Sequence, residues 1–202
     1  KKYIKNKKNH RYTVSGIEVI QAGDFLGDFS LKDSIAIALA EIPDHLLRNI
    51  DSIYVGDFKH LKSRKFNAAF KDGAMFVSNE QDNEEDLIND IVHELAHSVE
   101  EIFGELIYSD GGIEQEFLNK RRELWSILNT EGHTVGLQDF QDTEYNANFD
   151  QYLYQVVGYP TLSMLTVNLF YSPYGATSLR EYFANAFEGF FHYKDVERIK
   201  NI

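Results

Sequence analysis

The sequence predicts an α+β fold: a small mixed sheet from the first third of the chain, one long helix, and a mostly helical second half. Three observations carry this. Residues 12–31 hold short β-like runs broken by Gly-Asp turns, and residues 67–70 and 74–77 flank Lys71-Asp72-Gly73, a hairpin signal. Leu87, Ile88, Ile91, Val92, Leu95, Val99, Ile102 and Phe103 recur at three- and four-residue spacing, the period of an amphipathic helix. The same period returns over residues 113–129 and 178–192.

In chain order, residues 33–42 are apolar and alanine-rich, a short helix capped by Asp33 and stopped by Pro43. Pro43 opens a second short helix over residues 44–50. Residues 52–58 make a strand. Asp82 with Glu85 three positions on supplies the start of the long helix. Tyr108 to Gly112 reads as a turn, and the polar residues 131–150 as loop. Residues 151–179 carry no charge, yet Gly158, Pro160, Asn168 and Pro173 argue against a membrane span. A buried segment is the expectation there. Residues 12–202 form a single domain, and 1–11 a basic, disordered tail.

The composition narrows the function. With 43% hydrophobic residues, 202 residues suffice for one buried core. There is no cysteine, which excludes disulfides and thiolate zinc sites and leaves the redox compartment open. No stretch has the make-up of a signal peptide, and an opening Lys1 in place of Met leaves room for a leader or another domain upstream. Net charge is −12, and residues 12–202 carry 14 basic against 32 acidic groups, −18. So acidic a body disfavours nucleic acid and anionic membranes and favours a basic or neutral substrate.

Inside the long helix lies His93-Glu94-Leu95-Ala96-His97, an H-E-x-x-H match. Two histidines at i and i+4 point the same way, roughly 6 Å apart at Cβ, which suits two imidazole nitrogens on one tetrahedral Zn²⁺. Glu94 is turned about 100° from His93, an awkward third ligand but a natural general base toward a metal-activated water. The plainer alternative is a surface histidine pair. The helical context favours the metal, because the apolar stripe leaves His93 and His97 on the other side with Asp86 and Asp90.

A catalytic zinc of this type takes a third protein ligand and keeps one open position. The last helix offers Glu181, Glu188 and His192 on one face with Asn185. Ser178-x-x-Glu181 is also a capping box, in which the carboxylate reaches back to a backbone N–H. Glu131 and His133 are further candidates. Helical geometry alone leaves the choice open.

The run Ser178-Leu179-Arg180-Glu181-Tyr182-Phe183-Ala184-Asn185-Ala186-Phe187 resembles the E-[YF]-F-A-x-A-F segment of the anthrax lethal factor-like metallopeptidases, which include the clostridial Pro-Pro endopeptidases. A hairpin leading into an H-E-x-x-H helix is likewise similar to the layout of zincin peptidases, whose edge strand pairs with extended substrate. The resemblance implies a gluzincin-type zincin domain, Glu181 as third zinc ligand, and Tyr174, seven residues earlier, as donor to the oxyanion. Two departures stand out. His97 and Glu181 are 84 positions apart, longer than the family pattern, which implies an inserted helix and loop. Asn185 also stands where the family often has an acid.

The expected protein is therefore a zinc endopeptidase with one zinc per chain. His93, His97 and Glu181 are the metal ligands, Glu94 the base and Tyr174 the oxyanion donor. The alternatives are a silent zincin-derived binding module and a zinc amidohydrolase acting on a small substrate.

Overall fold

The β-like runs of the N-terminal third form one five-stranded sheet in a computed structural model that describes residues 9–64, 66–167 and 169–201. The strands are β1 (Asn9–Val14), β2 (Ile17–Ala22), β3 (Ser52–Gly56), β4 (Ala68–Lys71) and β5 (Ala74–Ser78). Their order is β1-β2-β3-β5-β4, with β2, β3 and β5 parallel and both outer strands antiparallel. The fold class is thus the predicted α+β with a mixed sheet. β1 starts within the segment read as a tail. Residues 1–8, the rest of that segment, lie outside the described residues.

Local chemistry explains the element boundaries. Asp72 and Gly73 both take positive φ, 51° and 77°, which gives the two-residue turn whose twist matches a β-hairpin. Helix α1 (Leu31–Ala40) is capped by Ser30, whose hydroxyl accepts the Asp33 N–H at 3.3 Å; the cap is Ser30 and not the expected Asp33. Pro43 leads into only one 3₁₀ turn, Asp44–Leu46. A short helix α2 (Lys59–Arg64), absent from the sequence reading, adds His60 to a stack of rings in which Tyr54 lies on Phe76 at 5.4 Å and His60 meets Phe76 edge-on at 5.2 Å.

The chain divides into two compact units, residues 1–102 and 103–202. The boundary falls inside α3 (Glu84–Ile107), the predicted long helix. Its cap is one residue later than expected: Asn83 Oδ1 accepts the Asp86 N–H at 2.9 Å. In the first unit α3 buries Leu87, Ile88, Ile91, Val92 and Leu95. Glu84 accepts the Ser34 hydroxyl of α1 at 2.9 Å and the Ser98 carbonyl accepts Asn49 Nδ2 at 3.1 Å, which ties the start of the helix to α1 and its middle to the turn before β3.

The second unit is helical: α4 (Gly112–Thr130), a 3₁₀ turn (Leu137–Phe140), α5 (Ala147–Gln151), a π-helical segment (Tyr152–Gly158), α6 (Tyr159–Leu165), a 3₁₀ turn (Pro173–Ala176), α7 (Leu179–Phe191) and α8 (Val196–Asn201). Its core is built on Phe117, Leu124, Leu128, Phe140, Phe149, Leu153, Leu162 and Phe170. The uncharged stretch is amphipathic and not wholly buried. Leu153, Val157 and Leu162 point in, while Tyr154, Val156 and Met164 are exposed. Among the described residues no helix is long and apolar enough to cross a membrane.

The guanidinium of Arg121 sits in that core. Arg121 is 1% exposed, its guanidinium 4.1 Å from the Phe149 ring centre and also over Phe117. It donates to the main-chain carbonyls of Asp139 and Thr177. Burial lowers its pKa to about 10, offset by Asp142 and Asp139, so it stays charged at neutral pH. Lysine has the charge but not the planar fork that stacks on a ring and serves two carbonyls. Arg121→Lys should therefore lower stability by about 2 kcal/mol or more in urea unfolding, with the slope unchanged.

Candidate metal centre

Helical period and ring packing place the two histidines together. The rings of His93 and His97 lie 4.9 Å apart between centres and nearly perpendicular, at 83°. His97 is 8% exposed, deeper than a surface pair, and Glu100 Oε2 stands 3.6 Å from its Nδ1. A carboxylate on that side biases the ring toward offering Nε2 to a metal. Glu100 was not singled out from the sequence, although its i+3 spacing from His97 was visible there.

Glu94 meets the sheet: its Oε2 accepts the Phe70 N–H of β4 at 2.6 Å. Asp90, one turn before the histidines, has an Oδ2 withdrawn from solvent with no hydrogen-bond partner. Burial pushes its pKa up to about 7; His93 and a hydrogen bond to Asn67 oppose this, while Glu94 and Asp86 add to it.

In the second unit, Ser178 caps α7 and its hydroxyl accepts the Glu181 N–H at 3.3 Å, so the main-chain half of the capping box is present. That bond fixes the Glu181 backbone and is compatible with a ligand role for its side chain. Arg121 holds the preceding carbonyl, that of Thr177, at 3.4 Å. Tyr174 is half-buried on the 3₁₀ turn before α7. Burial first, then the charge of Glu181, raises its hydroxyl pKa well above the usual tyrosine value, so it is a proton-bearing donor at any ordinary pH. Asn185 is 4% exposed; its Oδ1 accepts the Ser172 hydroxyl and its Nδ2 donates to Glu188 at 3.4 Å. A Cβ on Gly175 would meet Asn185 Oδ1 at 2.7 Å. The asparagine at the position where the resemblance suggests an acid thus holds the turn that carries Tyr174.

His93, His97 and Glu181 each offer one ligand atom, and those atoms lie within 4.8 Å of one another. No protein-family profile, no curated protein and no solved structure matches this chain. The other sequence candidates stand outside the trio: exposed Glu131 closes α4, His133 follows it in the loop, and buried Glu188 pairs with Asn185. His192 ends α7 against Tyr193 at 4.6 Å. Two imidazole nitrogens and one carboxylate oxygen fit a tetrahedral divalent ion of borderline softness, whereas calcium and magnesium take more oxygens.

The Asp90 carboxyl gives a pH signature. Its folded pKa of about 7 exceeds the ordinary 3.8, so the folded state keeps a proton that the unfolded chain gives up. The associated stability is present below about pH 4 and is lost as pH rises through 7. Asp90→Asn removes that loss. In metal-free protein the variant's stability relative to wild type should rise by on the order of 2–4 kcal/mol between pH 4 and pH 8, measured by denaturant unfolding.

Proposed function

We propose that this protein is a zinc-dependent endopeptidase of the zincin type. The observation that carries the reading is the convergence of His93, His97 and Glu181, with ligand atoms within 4.8 Å, beside a glutamate that follows the first histidine. The resemblance of residues 178–187 to the lethal factor-like metallopeptidases supports the same ligand set.

His93, His97 and Glu181 would hold the ion, each through one ligand atom, with His97 offering Nε2 because Glu100 faces its Nδ1. When bound, zinc supplies Lewis acidity toward a carbonyl oxygen and makes a neighbouring water easier to deprotonate. Glu94 takes the proton of the attacking water and delivers it to the leaving amine. Tyr174 donates its hydroxyl hydrogen to the oxyanion that forms on the former carbonyl, a contribution of about 3 kcal/mol for one well-placed donor. Its raised pKa keeps that hydrogen in place.

Purified protein should hold close to one zinc per chain, and His93→Ala, His97→Ala and Glu181→Gln should each lose it, read by elemental analysis. Full zinc retention in either histidine variant defeats the assignment. If capping is the whole role of Glu181, its variant keeps zinc and loses about 1 kcal/mol of stability. A peptide-library digest read by mass spectrometry should show cleavage by wild type and none by Glu94→Ala. Tyr174→Phe should lower kcat roughly 10²-fold with KM and zinc content little changed. Zinc bound without cleavage of any library member points instead to a silent binding module.

A further inference from the structure

Hairpin geometry decides where the Phe70 N–H points. Around the turn Asp72-Gly73, Lys71 and Ala74 form the closing hydrogen-bonded pair, and bonded and non-bonded pairs alternate outward from it. Ala69 opposite Phe76 is therefore bonded, while Phe70 opposite Met75 and Ala68 opposite Val77 are not. The main-chain N–H and C=O of Phe70 and Ala68 face away from β5, and β4 is the outer strand of the sheet. The Phe70 N–H is thus not part of the β4–β5 ladder. It donates instead to Glu94 Oε2 at 2.6 Å, across 24 positions of chain, a charge-assisted bond on a side chain with three rotatable torsions.

We propose that the main-chain N–H of Phe70 is the positioning group for Glu94. It pins Oε2 and leaves Oε1 as the oxygen that handles the proton. This rests on the reading of Glu94 as the general base. The same bond sets a register for an extended chain adding to β4: with the Phe70 N–H committed to Glu94, the main-chain groups that β4 offers are the N–H and C=O of Ala68 and the C=O of Phe70. The specificity of that strand addition is therefore one donor short at Phe70.

Side-chain scanning does not reveal a backbone donor, because Phe70→Ala keeps it. Phe70→Pro removes it, and the sheet tolerates proline there because the lost N–H serves no ladder bond on an edge strand. In the zinc-loaded enzyme Phe70→Pro should lose roughly 10-fold or more in kcat relative to Phe70→Ala, at unchanged KM and zinc content. Equal kcat in the two variants overturns the proposal. A second measurement needs neither turnover nor a folded proline variant. In ¹⁵N-labelled protein the Phe70 amide proton should resonate downfield and exchange slowly, and Glu94→Ala should move it upfield and speed its exchange roughly 10-fold or more. An amide indifferent to Glu94→Ala overturns the anchor. Zinc-loaded wild type that cleaves no peptide rejects the peptidase reading and leaves the anchor to be decided by the amide.

Discussion

One helix has to satisfy two demands at once, and the 100° step between its residues is what makes this possible. On α3 the apolar side chains Leu87, Ile91, Val92 and Leu95 are fully buried, which fixes the helix about its own axis. With that rotation set, His93 and His97 have no choice but to lie one above the other, and Glu94 is turned toward β4. Register along the axis is set separately by the Asn83 cap, the Ser34–Glu84 bond and the Asn49–Ser98 bond. Shift the helix by one residue and Glu94 no longer stands opposite the Phe70 N–H. The polar side of the helix carries Asp86, Asp90, Glu94 and Glu100, and the Asp90 pKa is raised there chiefly by burial, with Glu94 and Asp86 adding to the rise.

The second unit solves a different problem, which is to aim a carboxylate and a hydroxyl from adjoining turns. Glu181 sits in the first turn of α7, where the helix dipole favours a negative charge and Ser178 holds the backbone. Arg121 secures the carbonyl before the cap, and Asn185 secures the loop before that. All three are polar groups taken out of water, and each is matched to main chain or to a hydroxyl. Removing one member leaves the others unsatisfied, so the geometry around Glu181 is held by groups that are poor candidates for drift.

Much of this was legible in the sequence, and the reasons differ from element to element. The Asp72-Gly73 turn and the α3 period are local signals, set by residues within one turn of each other, and both stand as read. The caps moved by one or a few residues because Asp82 and Asn83, or Ser30 and Asp33, are equally competent acceptors, and only the path of the incoming chain chooses between them. Glu181 was not separable from Glu188 and His192 by period alone; the resemblance singled it out, and three-dimensional convergence supports that choice. The role of Arg121 is illegible for the opposite reason. An arginine among phenylalanines looks like a solvated charge until two carbonyls, of Asp139 and Thr177, are found waiting for it. The uncharged residues 151–179 were read as buried because charge was absent, yet tyrosine, valine and methionine side chains there also face outward.

The hairpin and α3 have a bearing on how the chain folds. Phe70, Glu94, His93 and His97 fall within one continuous stretch, and their mutual contacts close loops of 24 residues or fewer. Glu181 stands 84 positions beyond His97, and closing a loop of that length costs about 1 kcal/mol more in chain entropy. The two-histidine half of the constellation can thus assemble from local contacts while the rest of the chain is still searching. A contact at that separation is non-local, of the kind that slows folding when such contacts dominate.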